Sequence, residues 1–178
     1  MTTLTKLLLV LASLSAGPVL AQPEITYKGT AIGSSSSLFN SKHSGFTCVL
    51  HSKSLNVCSN DSISYGGIKA SRTTATFIND QLSQVDILIA KTEKPDSLIS
   101  YFSVLNHAIS EDFGRVQEQS DRLGTMARRL FIWRRSTNEL MLSLASTDKV
   151  ELLGVLITSS DHDRRALEAR RKDAKKDI

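Results

Sequence analysis

The chain has 178 residues with 22 Lys and Arg against 18 Asp and Glu, a formal charge of +4, 40% hydrophobic residues and 6% aromatic ones. A balance this near neutrality excludes a polyanion binder driven by net charge, and the length suits one domain able to bury its own core. There is no P-loop, dinucleotide fingerprint or G-x-S-x-G elbow, so the chemistry those motifs carry is not indicated.

Residues 1–21, MTTLTKLLLVLASLSAGPVLA, read as a secretory signal peptide. Lys6 gives a positive start, Leu7 to Ala16 an apolar run, Gly17-Pro18 a helix break, and Val19 and Ala21 the small residues that signal peptidase reads. The run falls short of the ~20 residues that span a bilayer. No cysteine follows the cleavage point, so a lipid anchor is not expected. The mature chain is expected to start near Gln22 and to keep 157 residues (178 minus 21), with the charge reduced from +4 to +3 by loss of Lys6. A periplasmic or secreted location follows, with no transmembrane segment.

Residues 22–45 form a Gly/Ser-rich lead-in, either a flexible linker or a short helix around Leu38 and Phe39 entered through a serine cap. Phe46 to Leu50 reads as a strand and Asn56 to Ser62 as a polar turn; Tyr65-Gly66-Gly67 is a further turn signal. Both cysteines, Cys48 and Cys58, lie in this stretch. In an oxidising compartment two thiols pair, which gives one disulfide. The competing reading makes Cys48, His51 and Cys58 metal ligands, with His43 as a fourth. It lacks the paired C-x2-C and H-x3-5-H elements of a zinc site.

Thr73 to Ile78 is rich in β-branched residues, Asn79-Asp80-Gln81 interrupts it, and Leu82 to Ala90 alternates apolar Val85, Ile87 and Ile89 with other residues. That period of two predicts a hairpin with one buried face. Lys94-Pro95-Asp96 then stops the sheet, and Asp96 or Ser97 caps a helix whose stripe is Leu98, Phe102, Leu105, Ile109 and Phe113, ended by Gly114. His107 lies away from that stripe and should face solvent.

After a polar connector, Leu130 to Trp133 and Glu139 to Ala145 predict a second hairpin around Ser136-Thr137-Asn138, with Leu140, Leu142 and Leu144 facing inward. Val150 to Thr158 is a last strand with Gly154 as a bulge candidate. The tail, 161–178, has seven basic and five acidic residues and no continuous apolar stripe, so it reads as a solvated helix or as disordered. The carboxylates flanking His162 should raise its pKa. The expected fold is α+β: an antiparallel sheet of two hairpins plus extra strands, with one main helix packed on one face, over residues 46–160.

Arg129, Arg134 and Arg135 flank Leu130-Phe131-Ile132-Trp133. On strand geometry, Phe131 and Trp133 share a face with Arg129 and Arg135. Two readings stand. Either that face presents aromatics and guanidinium groups to a protein partner, or helix and tail cover the strand and acids pair with the arginines. Export and near-neutral charge make nucleic acid an unlikely partner.

Ile32-Gly33, Gly45-Phe46-Thr47-Cys48, Ile63-Ser64-Tyr65-Gly66-Gly67-Ile68, Ala75-Thr76-Phe77, Leu82 to Ile89 and Phe113-Gly114 together resemble small exported α+β proteins of Gram-negative bacteria of unknown function. The layout is also similar to outer-membrane assembly lipoproteins and β-lactamase inhibitory proteins, where a helix packs on an antiparallel sheet. The resemblance implies a periplasmic α+β domain and carries over no functional residue, cofactor or catalytic group. The functional expectation is a soluble, non-catalytic periplasmic binding protein for an unidentified envelope protein, contacting it through Arg129, Phe131, Trp133, Arg134 and Arg135. The alternatives are a metal-assisted hydrolase using His43 and His51, and an envelope-associated structural or stress protein touching the envelope with its tail.

Overall fold

The structure, a computed structural model, describes residues 23–65, 68–93 and 98–175. The expected leader at 1–21 and the helix caps Asp96 and Ser97 lie outside them. In chain order the elements are β1 (Thr26–Tyr27), β2 (Thr30–Ala31), α1 (Ser36–Lys42), β3 (Thr47–Ser52), β4 (Leu55–Asn60), β5 (Ser64–Tyr65), β6 (Ile68–Lys69), β7 (Arg72–Ile78), β8 (Gln81–Thr92), α2 (Ile99–Phe113), β9 (Gln119–Leu123), β10 (Met126–Arg135), β11 (Asn138–Ser146), β12 (Glu151–Ser159) and α3 (His162–Ala174). The fold is α+β, but not one helix on two hairpins. A single antiparallel sheet of eight strands runs β3-β4-β7-β8-β12-β11-β10-β9, with three helices around it.

One pattern occurs twice. A helix followed by four sheet strands spans 36–92 (α1, β3, β4, β7, β8) and again 99–159 (α2, β9 to β12), with the small β5–β6 hairpin inserted in the first copy. The last strands of the two copies, β8 and β12, pair antiparallel at the midline. A two-fold axis normal to the sheet would give that pairing, and such an axis keeps faces unchanged, so both helices belong on one face. They are found there: Phe39 of α1 packs on Phe77 with ring centroids 5.4 Å apart, and Phe102 of α2 packs on Phe131 at 5.5 Å, within one continuous core.

Local chemistry sets the corners. β1 and β2 are joined by Lys28-Gly29, and β7 and β8 by Asn79-Asp80, all four residues at positive φ. Two left-handed residues in a two-residue loop make the primed turn that matches strand twist. The Ser35 side chain caps α1 by accepting from the Leu38 amide, so the lead-in resolves to the short helix. α2 ends at Gly114, φ 80°, and the register shifts between Leu153 and Gly154, but the extra residue is Ile89 on β8, opposite the expected Gly154. Asn56 to Ser62 is not a turn: Leu55–Asn60 is strand β4, paired on both sides by β3 and β7. The polar connector contributes strand β9 and the first residues of β10, paired with each other.

α3 lies on the opposite, outer face, over β4 and β7. Ala169 is its buried residue. Polar ties hold it: Asp173 accepts from the Ser54 amide and hydroxyl at 3.3 and 3.1 Å, and Arg165 donates to the Gln81 side chain at 3.0 Å. The tail is therefore helical and docked over 162–174. Among the described residues, no helix is long and apolar enough to cross a membrane.

Candidate functional site

The arginine–aromatic strand is not an exposed contact face. Trp133 is fully buried and Phe131 nearly so, both under α2. The Trp133 Nε1–H donates to the Gly114 carbonyl at 2.7 Å and Arg135 Nη2 to the Phe113 carbonyl at 2.6 Å. The last carbonyls of a helix have no partner within it, and here side chains of β10 supply one. Arg129 makes a two-point ion pair with Glu118 (2.6 and 3.0 Å) and lies 5.2 Å from the Phe102 ring centroid. That hydrogen-bonded pairing holds the Glu118 carboxyl below its ordinary range. Arg134 points outward, paired with Glu139 at 2.8 Å. The predicted contact residues Phe131, Trp133, Arg129 and Arg135 thus work as a clamp on α2, because α2 lands on the face that carries them.

Cys48 and Cys58 stand directly opposite in the β3–β4 register and form the disulfide, so neither thiolate can serve as ligand or nucleophile. His43 Nε2 lies 2.9 Å from Thr30 Oγ1, with its ring against Tyr27 and Phe39. Burial, with Lys28 and Lys42 nearby, lowers its pKa. His51 is on the exposed strand β3, and His107 is exposed beside Glu111 at 3.4 Å. The His162 pKa is lowered, contrary to expectation: burial outweighs Asp161 and Asp163, and Nδ1 lies 2.9 Å from the buried Ser83 hydroxyl. Among the described residues, no three His, Cys, Asp or Glu side chains form a group able to hold a metal.

Three of the concave or open regions among the described residues bear on what the chain could bind. The first is the outer face of the second copy, which among the described residues α3 approaches only at its start. There Leu130 and Ala145 are buried, and Leu88, Ile132, Met141, Leu152 and Leu156 are half-buried. Ile132, Met141, Leu156 and Asp86 form one cross-strand row. Burial raises the Asp86 pKa although the residue keeps contact with solvent. A hollow of about 220 Å³ beside this row, lined in part by Glu139, Met141, Leu156, His162 and Asp163, joins it to the start of α3.

The second is a hollow of about 200 Å³ on the inner face, between α2, the sheet midline and the β1–β2 hairpin. Ile87, Ile89, Val155 and Ile157 form its floor, and Leu105 and Ile109 of α2 its side. At its mouth stand Tyr27, Lys28 and Tyr65. Tyr27 Oη lies 2.8 Å from Tyr65 Oη, which lies 3.0 Å from Thr73 Oγ1. Burial pushes both phenols above their ordinary pKa, so they stay neutral.

The third, about 660 Å³, is an open polar cleft where the strand ends meet the start of α3. Arg135 and Arg165 line it together with Glu24 and Asp161, so its charges balance. Arg135 Nε and Ser159 Oγ, both buried, have no hydrogen-bond partner there. No protein-family model matches this chain, and comparison with curated proteins and with solved structures finds no match to either.

Proposed function

We propose that this is an exported, non-catalytic binding protein that holds a protein partner on the open half of the outer sheet face. The observation that carries the reading is the asymmetry of cover. The two copies share one layout, yet among the described residues α3 packs over the outer face of β4 and β7, and only its first residues come near that of β10, β11 and β12, beside Met141 and Leu156. Leu88, Ile132, Met141, Leu152 and Leu156 there make a contiguous apolar patch rimmed by Arg134, Glu139 and Asp86. An apolar centre with a polar rim is the usual anatomy of a protein interface.

Export is supported by the leader pattern of residues 1–21 and by the Cys48–Cys58 disulfide, which belongs to an oxidising compartment. A binding role is supported by the engagement of the reactive groups, with both cysteines oxidised and His43 and His162 tied to hydroxyls.

The test is affinity purification from the native cell envelope, followed by mass spectrometry, with wild type beside M141D and L156D. Both positions face out from the sheet, so the variants should unfold cooperatively near the wild-type temperature. Each should lose the partner that wild type retains. Retention by both variants would overturn the reading.

A further inference from the structure

We propose that the inner-face hollow is a binding site for a linear alkyl carboxylate with a tail of about eight carbons. An apolar cavity of about 150 Å³ lined by Leu, Ile and Phe takes up a six-carbon ring. By the same ratio the roughly 200 Å³ here suit about eight carbon atoms. The walls fit a flexible chain: Ile87, Ile89 and Ile157 are buried on the floor, while Leu105 and Ile109 remain half-buried.

The stripe of α2 explains why a hollow forms. Phe102 fills the space over Phe131, but α2 leans on β11, and the midline strands β8 and β12 receive only the edge of the helix. The mouth selects the head group. Among the described residues, Lys28 is the one charged side chain lining the hollow, and its ammonium lies 4.8 Å from the Tyr65 ring centroid. The primed turn fixes its backbone at φ 45°, at the entrance rather than away from it. Two neutral phenols beside it can donate or accept a hydrogen bond. An anionic head on an apolar tail matches one cation above an aliphatic slot, whereas a cationic head would meet Lys28 unfavourably.

Titration calorimetry of the full folded chain with butyrate, hexanoate, octanoate and dodecanoate tests this. Affinity should rise about fourfold per added methylene, the binding equivalent of burying one CH₂, and should level off beyond octanoate as the hollow fills. Octanoate should shift the methyl NMR signals of Ile87, Ile89 and Ile157. K28Q should weaken octanoate several-fold and leave octanol unchanged. L105F and I109W, which project bulk from a half-exposed helix position, should abolish octanoate binding while the chain still unfolds cooperatively. Affinity without chain-length dependence, shifts outside the hollow, or undiminished binding by both filled variants would overturn the proposal. So would the absence of octanoate binding at millimolar concentration. The outer-face variants M141D and L156D should bind octanoate as wild type does, which separates this site from the partner surface.

Discussion

Replacing Trp133 asks whether the arginine–aromatic strand is a clamp or a contact surface. The indole is fully buried beneath α2, its ring centroid 6.0 Å from that of Phe131, and its N–H holds the Gly114 carbonyl at 2.7 Å. W133A should therefore cost about 3–5 kcal/mol, the range for deleting a buried aromatic. That is a large part of the ~5–15 kcal/mol that keeps a domain folded. In a chain of this length it corresponds to a fall of roughly 6–20 °C in Tm. W133F keeps most of the ring and loses the hydrogen bond, so it should cost about 1–2 kcal/mol. The two costs separate packing from the bond. Urea unfolding followed by circular dichroism is the assay, since Trp133 is the single tryptophan and its fluorescence disappears with it. The slope with urea should stay constant and the midpoint should move. A W133A midpoint within about 0.5 kcal/mol of wild type, the ordinary range of a surface substitution, would refute the clamp.

Reducing the Cys48–Cys58 bridge, which spans a sequence separation of 10, should cost at most about 2–3 kcal/mol on the loop-entropy scale. Because β3 and β4 already pair across it, the measured loss with dithiothreitol should fall at or below that range. Acidification should destabilise the fold. Burial holds His43 and His162 below their ordinary pKa, so the folded chain binds fewer protons than the unfolded one once pH drops below about 6.5. Stability should be flat from pH 8 to 7 and fall steadily below about 6.5 until the folded imidazoles also titrate. H43Q with H162Q should flatten that slope in a pH series of urea midpoints, and an unchanged slope would count against the assignment. Gly45 sits at φ 83°, and an added Cβ would lie 2.9 Å from Asn60 Nδ2. G45A should cost about 2 kcal/mol from left-handed strain and the clash together, read as a shift in Tm.

Much of this fold is written in local patterns, and the parts that are not share a cause. The β7–β8 alternation, the α2 stripe ended by Gly114 and the β10–β11 hairpin all follow from periodicity and turn chemistry. Strand β4 does not, because Asn56, Ser59 and Asn60 read as a turn. What makes Leu55–Asn60 a strand is pairing on both edges by β3 and β7, a non-local term that satisfies its backbone whatever its side chains prefer. Strand β9 is hidden in the same way by Gln119, Ser120 and Asp121, and its register with β10 places it at the sheet edge. The face carrying Arg129, Phe131, Trp133 and Arg135 is legible from alternation alone. Which face the helix covers is not, since that depends on how a segment some thirty residues earlier docks. The sign of the His162 shift was equally hidden: its neighbours in sequence are carboxylates, but its burial comes from the sheet beneath α3.

Both candidate surfaces arise where the two copies stop being equivalent. On the inner face the first copy has a seven-residue helix, and Tyr27, Phe39, Phe46 and Phe77 close over it as a stack of rings. The second copy has a fifteen-residue helix whose bulk sits toward β11, so the midline between the copies is left to aliphatic side chains and the hollow lies there. On the outer face the difference is α3, which follows the second copy in sequence but roofs the first. It does so with Ala169 as its buried residue and with polar ties to Ser54, Gln81 and Ser83. Burying one methyl side chain contributes little, roughly the 0.8 kcal/mol of a CH₂ group. Directional hydrogen bonds to Ser54, Gln81 and Ser83 therefore help to fix the position of α3. Under the two-fold, the counterparts of Ser54 and Gln81 lie at the β9–β10 and β11–β12 turns, at the other end of the sheet. A sheet duplicated by a two-fold, with α3 packed over the first copy, has unequal outer halves among the described residues, and the less covered half carries Met141 and Leu156.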